Sequence, residues 1–107
     1  MKNPIVSFRL LGELQTGSKN PIIIEIGHPY EAQATNGKNY SACPIDMKGL
    51  FSPISDIQGE DSFQALTLAV RFVEQQLSYF IRKGGLLYCE DGSPFDPDPY
   101  FRKLEKP

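Results

Sequence analysis

The segment from Gly59 to Gly85 constrains the fold most, because it contains a helix start, a helical period and a helix end. Asp61 followed by Gln64 has the spacing of a capping box. Apolar residues then recur at intervals of three or four, at Leu66, Val70, Val73, Leu77 and Phe80. Arg82-Lys83 and two glycines are typical of a helix end. An amphipathic helix is therefore predicted over about 62–83, roughly 30 Å long at ~1.5 Å per residue.

Strand patterns lie on both sides of this helix. Residues 4–14 alternate imperfectly, and Pro21 to Gly27 places Ile22, Ile24 and Ile26 on one side. Small polar residues between these two runs predict a turn, and therefore a β-hairpin. Further strands are predicted over 39–46, over 50–57 with a bend at Pro53, and over 86–90. Residues 30–38 show no period.

The order of these elements predicts an α+β fold with two layers, a mainly antiparallel sheet of four or five strands packed on the one long helix. Residues 93–107 contain Pro94, Pro97 and Pro99 and predict an extended tail. A length of 107 residues favours one domain over 1–107. One helix is about 10 Å wide and such a sheet roughly twice that, so part of the sheet should need the tail or a partner to cover it.

Charge and hydropathy exclude several classes of protein. Eleven basic against thirteen acidic residues give a net charge of −2, which disfavours non-specific nucleic-acid binding and suits a protein partner. Arg9 interrupts the first apolar run before it reaches the ~7–15 residues of a signal peptide. Polar residues break the stretch 65–81, so no membrane span is expected. We expect a cytoplasmic protein in which Cys43 and Cys89 are free, largely buried thiols.

Catalytic and metal chemistry find little support in the sequence. His28 is the only histidine, and although His28, Cys43 and Asp46 can be written as a triad, no local motif of a cysteine protease surrounds them. One histidine and two cysteines give three of the four ligands of a closed zinc site. The acidic run after Cys89 lacks EF-hand spacing, and phosphate-binding glycine motifs are absent from the sequence. We predict no enzymatic activity, no catalytic residue, no metal and no cofactor.

The C-terminal segment is the candidate binding region. Residues 90–98 contain four carboxylates and no Lys or Arg, with aromatic residues among or just beyond them. Proline stiffens the segment and lowers the entropy lost on binding, and uncompensated carboxylates suit a basic partner. The predicted partner-binding residues are Glu90, Asp91, Phe95, Asp96, Asp98, Tyr100 and Phe101. The alternative is a tail folded back over its own sheet, with the aromatic rings filling the core.

The stretch from Gly59 to Ala69 resembles a G-x-D-S-x-Q-A-L-x-L-A pattern of small bacterial proteins, some of them encoded near polymorphic toxins of the contact-dependent inhibition type. The match covers about a tenth of the chain. The resemblance implies an immunity or antitoxin-like protein that neutralises a toxin domain by stoichiometric binding. The alternative hypothesis is a structural or regulatory module that forms a homodimer through the uncovered sheet face or a sheet edge.

Overall fold

The computed structural model describes residues 1, 3–14, 17–50, 55–97 and 100, and the structural statements below concern these residues. Their elements are β1 (Val6–Glu13), β2 (Lys19–Ile26), β3 (Tyr30–Gln33), β4 (Asn39–Cys43), β5 (Ile45–Lys48), β6 (Ile57–Gly59), α1 (Ser62–Arg82) and β7 (Leu86–Tyr88). A four-stranded sheet has the order β5-β2-β1-β7, and a three-stranded sheet has the order β3-β4-β6. All of these strand pairs are antiparallel.

One helix packed against antiparallel sheets confirms the α+β class. The expected single sheet of four or five strands is instead two sheets, because the predicted strand 39–46 divides at Pro44 into β4 and β5. Ile26 pairs with Ile45 and Tyr30 pairs with Ala42, so three residues on one side of this corner oppose two on the other. The ladder is interrupted at this corner, and the chain passes there from one sheet to the other.

The helix begins and ends close to the predicted residues. The Asp61 carboxylate accepts a hydrogen bond from the Gln64 N–H at 2.7 Å, and the Gln64 side chain accepts one from the Glu60 N–H at 2.6 Å. At the other end Gly84 has a φ of 94°. The Gly84 N–H donates to the Ile81 carbonyl and the Gly85 N–H to the Phe80 carbonyl, both at 3.0 Å, which is a Schellman motif.

The core lies between the helix and the inner face of the four-stranded sheet. Ile22, Ile24 and Ile26 are buried, which confirms the alternation predicted for this strand. The helix contributes Ala65, Ala69, Val73 and Leu77, and the other strands contribute Leu10, Cys43, Ile45, Met47 and Leu87. The predicted hairpin is confirmed as β1 and β2, paired from Val6 opposite Ile26 to Glu13 opposite Lys19.

Two strand predictions differ from the structure. Tyr30–Gln33 forms β3 although the segment has no apolar period, since it is held by pairing with β4 and none of its side chains is buried. The predicted fourth strand, 50–57, falls partly on residues 51–54, which lie outside the described residues. Of the rest, only Ile57 belongs to a strand, β6.

Candidate functional site

The residues that follow β7 fold back along it. The Phe95 N–H donates to the Leu87 carbonyl at 2.9 Å, and the Cys89 N–H donates to the Ser93 carbonyl at 2.7 Å. Tyr88 and Pro94 form a β-bridge. The start of the predicted tail is therefore an extended segment paired with the edge of the sheet, and the acidic run lies on the turn that joins the two.

Hydrogen bonds hold this acidic turn in one conformation. The Asp91 carboxylate accepts bonds from the Ser93 hydroxyl at 2.6 Å and from the Ser93 N–H at 2.9 Å. These bonds hold the pKa of Asp91 below its usual value. The Gly92 N–H donates to the Cys89 carbonyl at 2.9 Å and closes the turn. Asp91 therefore shapes the turn, while the side chains of Glu90 and Asp96 are exposed beside it.

The aromatic residues of the segment separate into a core residue and a surface residue. Phe95 is 8% exposed and belongs to the hydrophobic core. Tyr100 is 65% exposed. Its ring stacks on Phe8 with centroids 6.2 Å apart and tilts against Phe95 with centroids 5.0 Å apart. Phe95 therefore agrees with the alternative in which the tail folds back and fills the core of its own domain. Its ring has little exposed surface left to contact a partner. Asp98 and Phe101 lie outside the described residues.

A groove of about 470 Å³ lies between this segment and β1. It exists because β7 pairs with β1 only from Leu11 to Glu13, which leaves the edge of residues 7–10 open beyond the end of β7. The lining residues are Ser7, Phe8, Arg9, Leu10, Cys89, Glu90, Phe95 and Tyr100. The structure thus brings Glu90, Phe95 and Tyr100 together. Asp91 and Asp96 do not line the groove.

The β1 residues of the groove were absent from the predicted site. Phe8 and Arg9 are adjacent in a strand whose alternation predicts one inward and one outward side chain, and that pattern says nothing about a partner far along the chain. They meet the C-terminal segment only through the pairing of β1 with β7. The sequence gives no sign of which strand pairs with β7, because β7 has only three residues and its pattern is too short to indicate a partner.

The two reactive residues considered for catalysis, Cys43 and His28, differ in exposure. Cys43 is fully buried, and its thiol lies 3.5 Å from the Gly27 carbonyl oxygen. Burial, with a smaller effect of the Asp56 charge, raises the pKa of this thiol and disfavours the thiolate that a nucleophile needs. His28 is exposed. Both cysteines are free, and Cys89 is half-buried. In the part of the chain that the structure describes, no three His, Cys, Asp or Glu side chains are grouped to hold a metal ion.

Comparison of the chain with protein-family models, with curated proteins and with solved structures gave no match. The motif from Gly59 to Ala69 nevertheless has a clear local role. Asp61 and Gln64 cap the helix, and Ala65 and Ala69 are fully buried on its inner face. Among the described residues, no helix has both the length and the apolar character needed to cross a bilayer.

Proposed function

We propose that this protein is a non-enzymatic immunity or antitoxin-like protein, which neutralises a cognate toxin domain by stoichiometric occlusion. One observation supports this above the others: exposed carboxylates lie on a hydrogen-bonded turn next to a groove that carries an exposed aromatic ring. The turn is closed by the bonds of Asp91 and Ser93, and the ring is that of Tyr100. A surface that is ordered before it meets a partner loses less entropy on association.

The charge of this surface favours a basic partner. The segment 90–97 carries three carboxylates and no Lys or Arg, and Arg9 lies on the β1 side of the adjacent groove. Such a cluster would attract a basic domain at long range and raise the association rate. Toxin domains that cleave nucleic acid need a basic surface to bind phosphates, so an acidic inhibitor complements them. We place the encounter in the cytoplasm, where such a toxin would find its substrate.

The aromatic groove would supply the short-range part of the interaction. Tyr100 is exposed over most of its surface, and its ring rests on Phe8 and Phe95. A supported aromatic side chain of this kind is a common anchor, because it buries a large area without losing much side-chain entropy. An apolar side chain of the toxin would dock against Tyr100, while its Lys or Arg residues pair with Glu90 and Asp96.

The test begins with the tagged protein purified from its native cells at moderate salt, followed by mass-spectrometric identification of the bound chains. We expect one toxin domain in a one-to-one ratio. Recovery of nothing but further copies of the same chain would contradict the proposal. With the recovered domain purified, its inhibition by the protein is then titrated and should end at one equivalent.

Charge reversal locates the contact. Glu90→Lys with Asp96→Lys should slow association about tenfold or more at low salt, which is the range of electrostatic steering. The matched control is Glu31→Lys with Glu60→Lys, which makes the same change in net charge at exposed positions on β3 and just before the helix. Equal slowing by the two double variants would remove the acidic turn as the contact. Tyr100→Ala should mainly raise the dissociation rate, by about tenfold for an anchor worth ~1.4 kcal/mol.

A further inference from the structure

The face of the four-stranded sheet that points away from the core carries an ordered pattern of side chains. The inner face holds Leu10, Ile24 and Met47 in the core, so the alternate residues of the same strands lie on the opposite, outer face. Strand pairing arranges these residues in rows that run across the sheet. The outer face is defined here by those rows.

Four consecutive rows differ in character. The two middle rows are Asp46, Glu25 and Ser7, and then Lys48, Ile23 and Arg9. Pro21, Leu11 and Tyr88 form the apolar row beyond the basic one. On the acidic side, the Gly27 N–H bonds to the Pro44 carbonyl, and a Cβ on Gly27 would lie 3.0 Å from the Met1 sulfur and 3.2 Å from Pro44. The row beyond the acidic one, which contains Gly27 and Pro44 with the Met1 side chain against it, is therefore apolar as well. Along the strands the order of these four rows is apolar, acidic, basic, apolar, and a fifth row of Lys19, Glu13 and Leu86 lies beyond the second apolar row.

This order is self-complementary under a two-fold rotation. Consider an axis that lies in the face, runs across the strands and passes between the acidic and the basic row. Rotation about it places each acidic row over the basic row of a second copy, and each apolar row over the opposite apolar row. Asp46 then faces Lys48 of the second copy, and the symmetry produces this pair twice. Glu25 is already within 3.4 Å of the Met1 ammonium group, so the Asp46 and Lys48 pairs contribute most of the complementarity.

We infer that this chain forms a two-fold homodimer in which the outer faces of two four-stranded sheets pack against each other. Lys48, Arg9 and Pro21 are exposed in the single chain, and Leu11, Ile23 and Tyr88 remain half-buried. A second copy of this chain is the expected partner because the acidic and basic residues of this face are complementary to those of an identical face. Neither acidic nor basic residues predominate on it, so a strongly charged partner of a different kind is not favoured. The inference does not rest on the proposed toxin binding, although Arg9 belongs both to this face and to the lining of the groove.

The size of the face indicates a weak dimer. Three strands at ~4.8 Å and four rows at ~6.8 Å give about 400 Å² of projected area per copy, which is about half the ~800 Å² per partner of a standard interface and lies in the range of weak, transient contacts. We therefore expect a dissociation constant on the order of 10–100 μM, rather than an obligate dimer.

Sedimentation velocity of the full chain over a concentration range of on the order of 5–200 μM tests this, with circular dichroism to verify folding of each variant. The wild-type chain should shift from monomer to dimer within that range. Asp46→Lys and Lys48→Asp each replace two attractive pairs by two repulsive ones, and each should weaken the dimer at least about tenfold. The double variant Asp46→Lys, Lys48→Asp restores opposite charges across the two-fold axis and should dimerise within about threefold of the wild-type constant. Glu31→Lys, on the three-stranded sheet, is the matched control and should have no effect.

Three outcomes overturn the inference. The first is a wild-type chain that stays monomeric over the whole range. The second is a dimer that the single reversals weaken and the double variant fails to restore. The third is a dimer that none of the variants weakens, which would assign the contact to another surface such as a sheet edge. None of these outcomes bears on toxin binding, since no toxin is present and Glu90 and Asp96 are unchanged.

Discussion

Phe95 distinguishes a tail that binds a partner from a tail that completes its own fold. Its ring is 8% exposed, and its N–H is bonded to the Leu87 carbonyl at the edge of the sheet. We predict that Phe95→Ala destabilises the isolated protein, because truncation removes a buried ring and leaves a cavity. The partner-binding interpretation of Phe95 predicts instead that the isolated chain is unaffected.

The magnitude follows from the position of the ring. Buried Phe→Ala changes cost about 3–5 kcal/mol. Phe95 lies at the rim of the core, with Tyr100 on one side, so the lower end of about 3 kcal/mol applies. A chain of this size has about 5–15 kcal/mol of total stability. With a urea dependence of about 1.5 kcal/mol per molar, the unfolding midpoint should fall by about 2 M.

The assay is urea unfolding followed by the far-ultraviolet circular dichroism of the helix. Phe63→Ala is the matched control, because it makes the same chemical change at a residue that is 78% exposed. We expect it to stay within about 0.5 kcal/mol of the wild type, as exposed substitutions do. A Phe95→Ala variant that also stays within about 0.5 kcal/mol would refute the assignment of Phe95 to the core.

Two further predictions concern the helix start and the buried thiol. Gly59→Ala would place a Cβ 2.5 Å from the Ala65 nitrogen and 2.9 Å from the Ala65 Cα, so the backbone must move. We expect the free energy of unfolding, measured in urea, to fall by about 2 kcal/mol. An unchanged urea midpoint would contradict this close approach. Burial raises the pKa of the Cys43 thiol above its ordinary value of 9.0. The buried, protonated thiol therefore contributes its full stabilisation below the pKa that Cys43 has in the unfolded chain. This stabilisation is lost as the pH rises from about 9 through the pKa that Cys43 has in the folded protein. The difference in unfolding free energy between the wild type and Cys43→Ala should therefore decrease above that pH, and a constant difference would argue against the shift.

The helix and the first hairpin could be predicted because their signals are local. Asp61 and Gln64 are three residues apart, and Ile22, Ile24 and Ile26 alternate within one strand. A local pattern of this kind needs no knowledge of distant contacts. Such a pattern predicts the structure correctly when the local preference of the residues agrees with the way they pack in the folded protein.

The division into two sheets could not be predicted in the same way. Pro44 interrupts a run that otherwise has the composition of one strand. That the chain passes from one sheet to the other at Pro44 is seen only in the structure, where the Gly27 N–H donates to the Pro44 carbonyl between the two sheets. Strand β3 has no buried side chain, so it produces no apolar period. The acidic turn was visible in the sequence, but the open edge of β1 that forms the groove depends on where β7 stops.

The position of β7 beside β1 has a consequence for how the chain folds during synthesis. Tyr88 reaches Glu13 across 75 residues of sequence, and contacts of that separation form late because a long loop must close first. While the ribosome is still adding the last quarter of the chain, the hairpin of β1 and β2 has one unpaired edge and lacks the cover of Leu87. A nascent chain in this state presents a strand edge to its neighbours, and a truncation before Leu86 would make that state permanent. Pairing of β7 with Leu11, Gly12 and Glu13 is thus the step that reduces the open edge of β1 to residues 7–10.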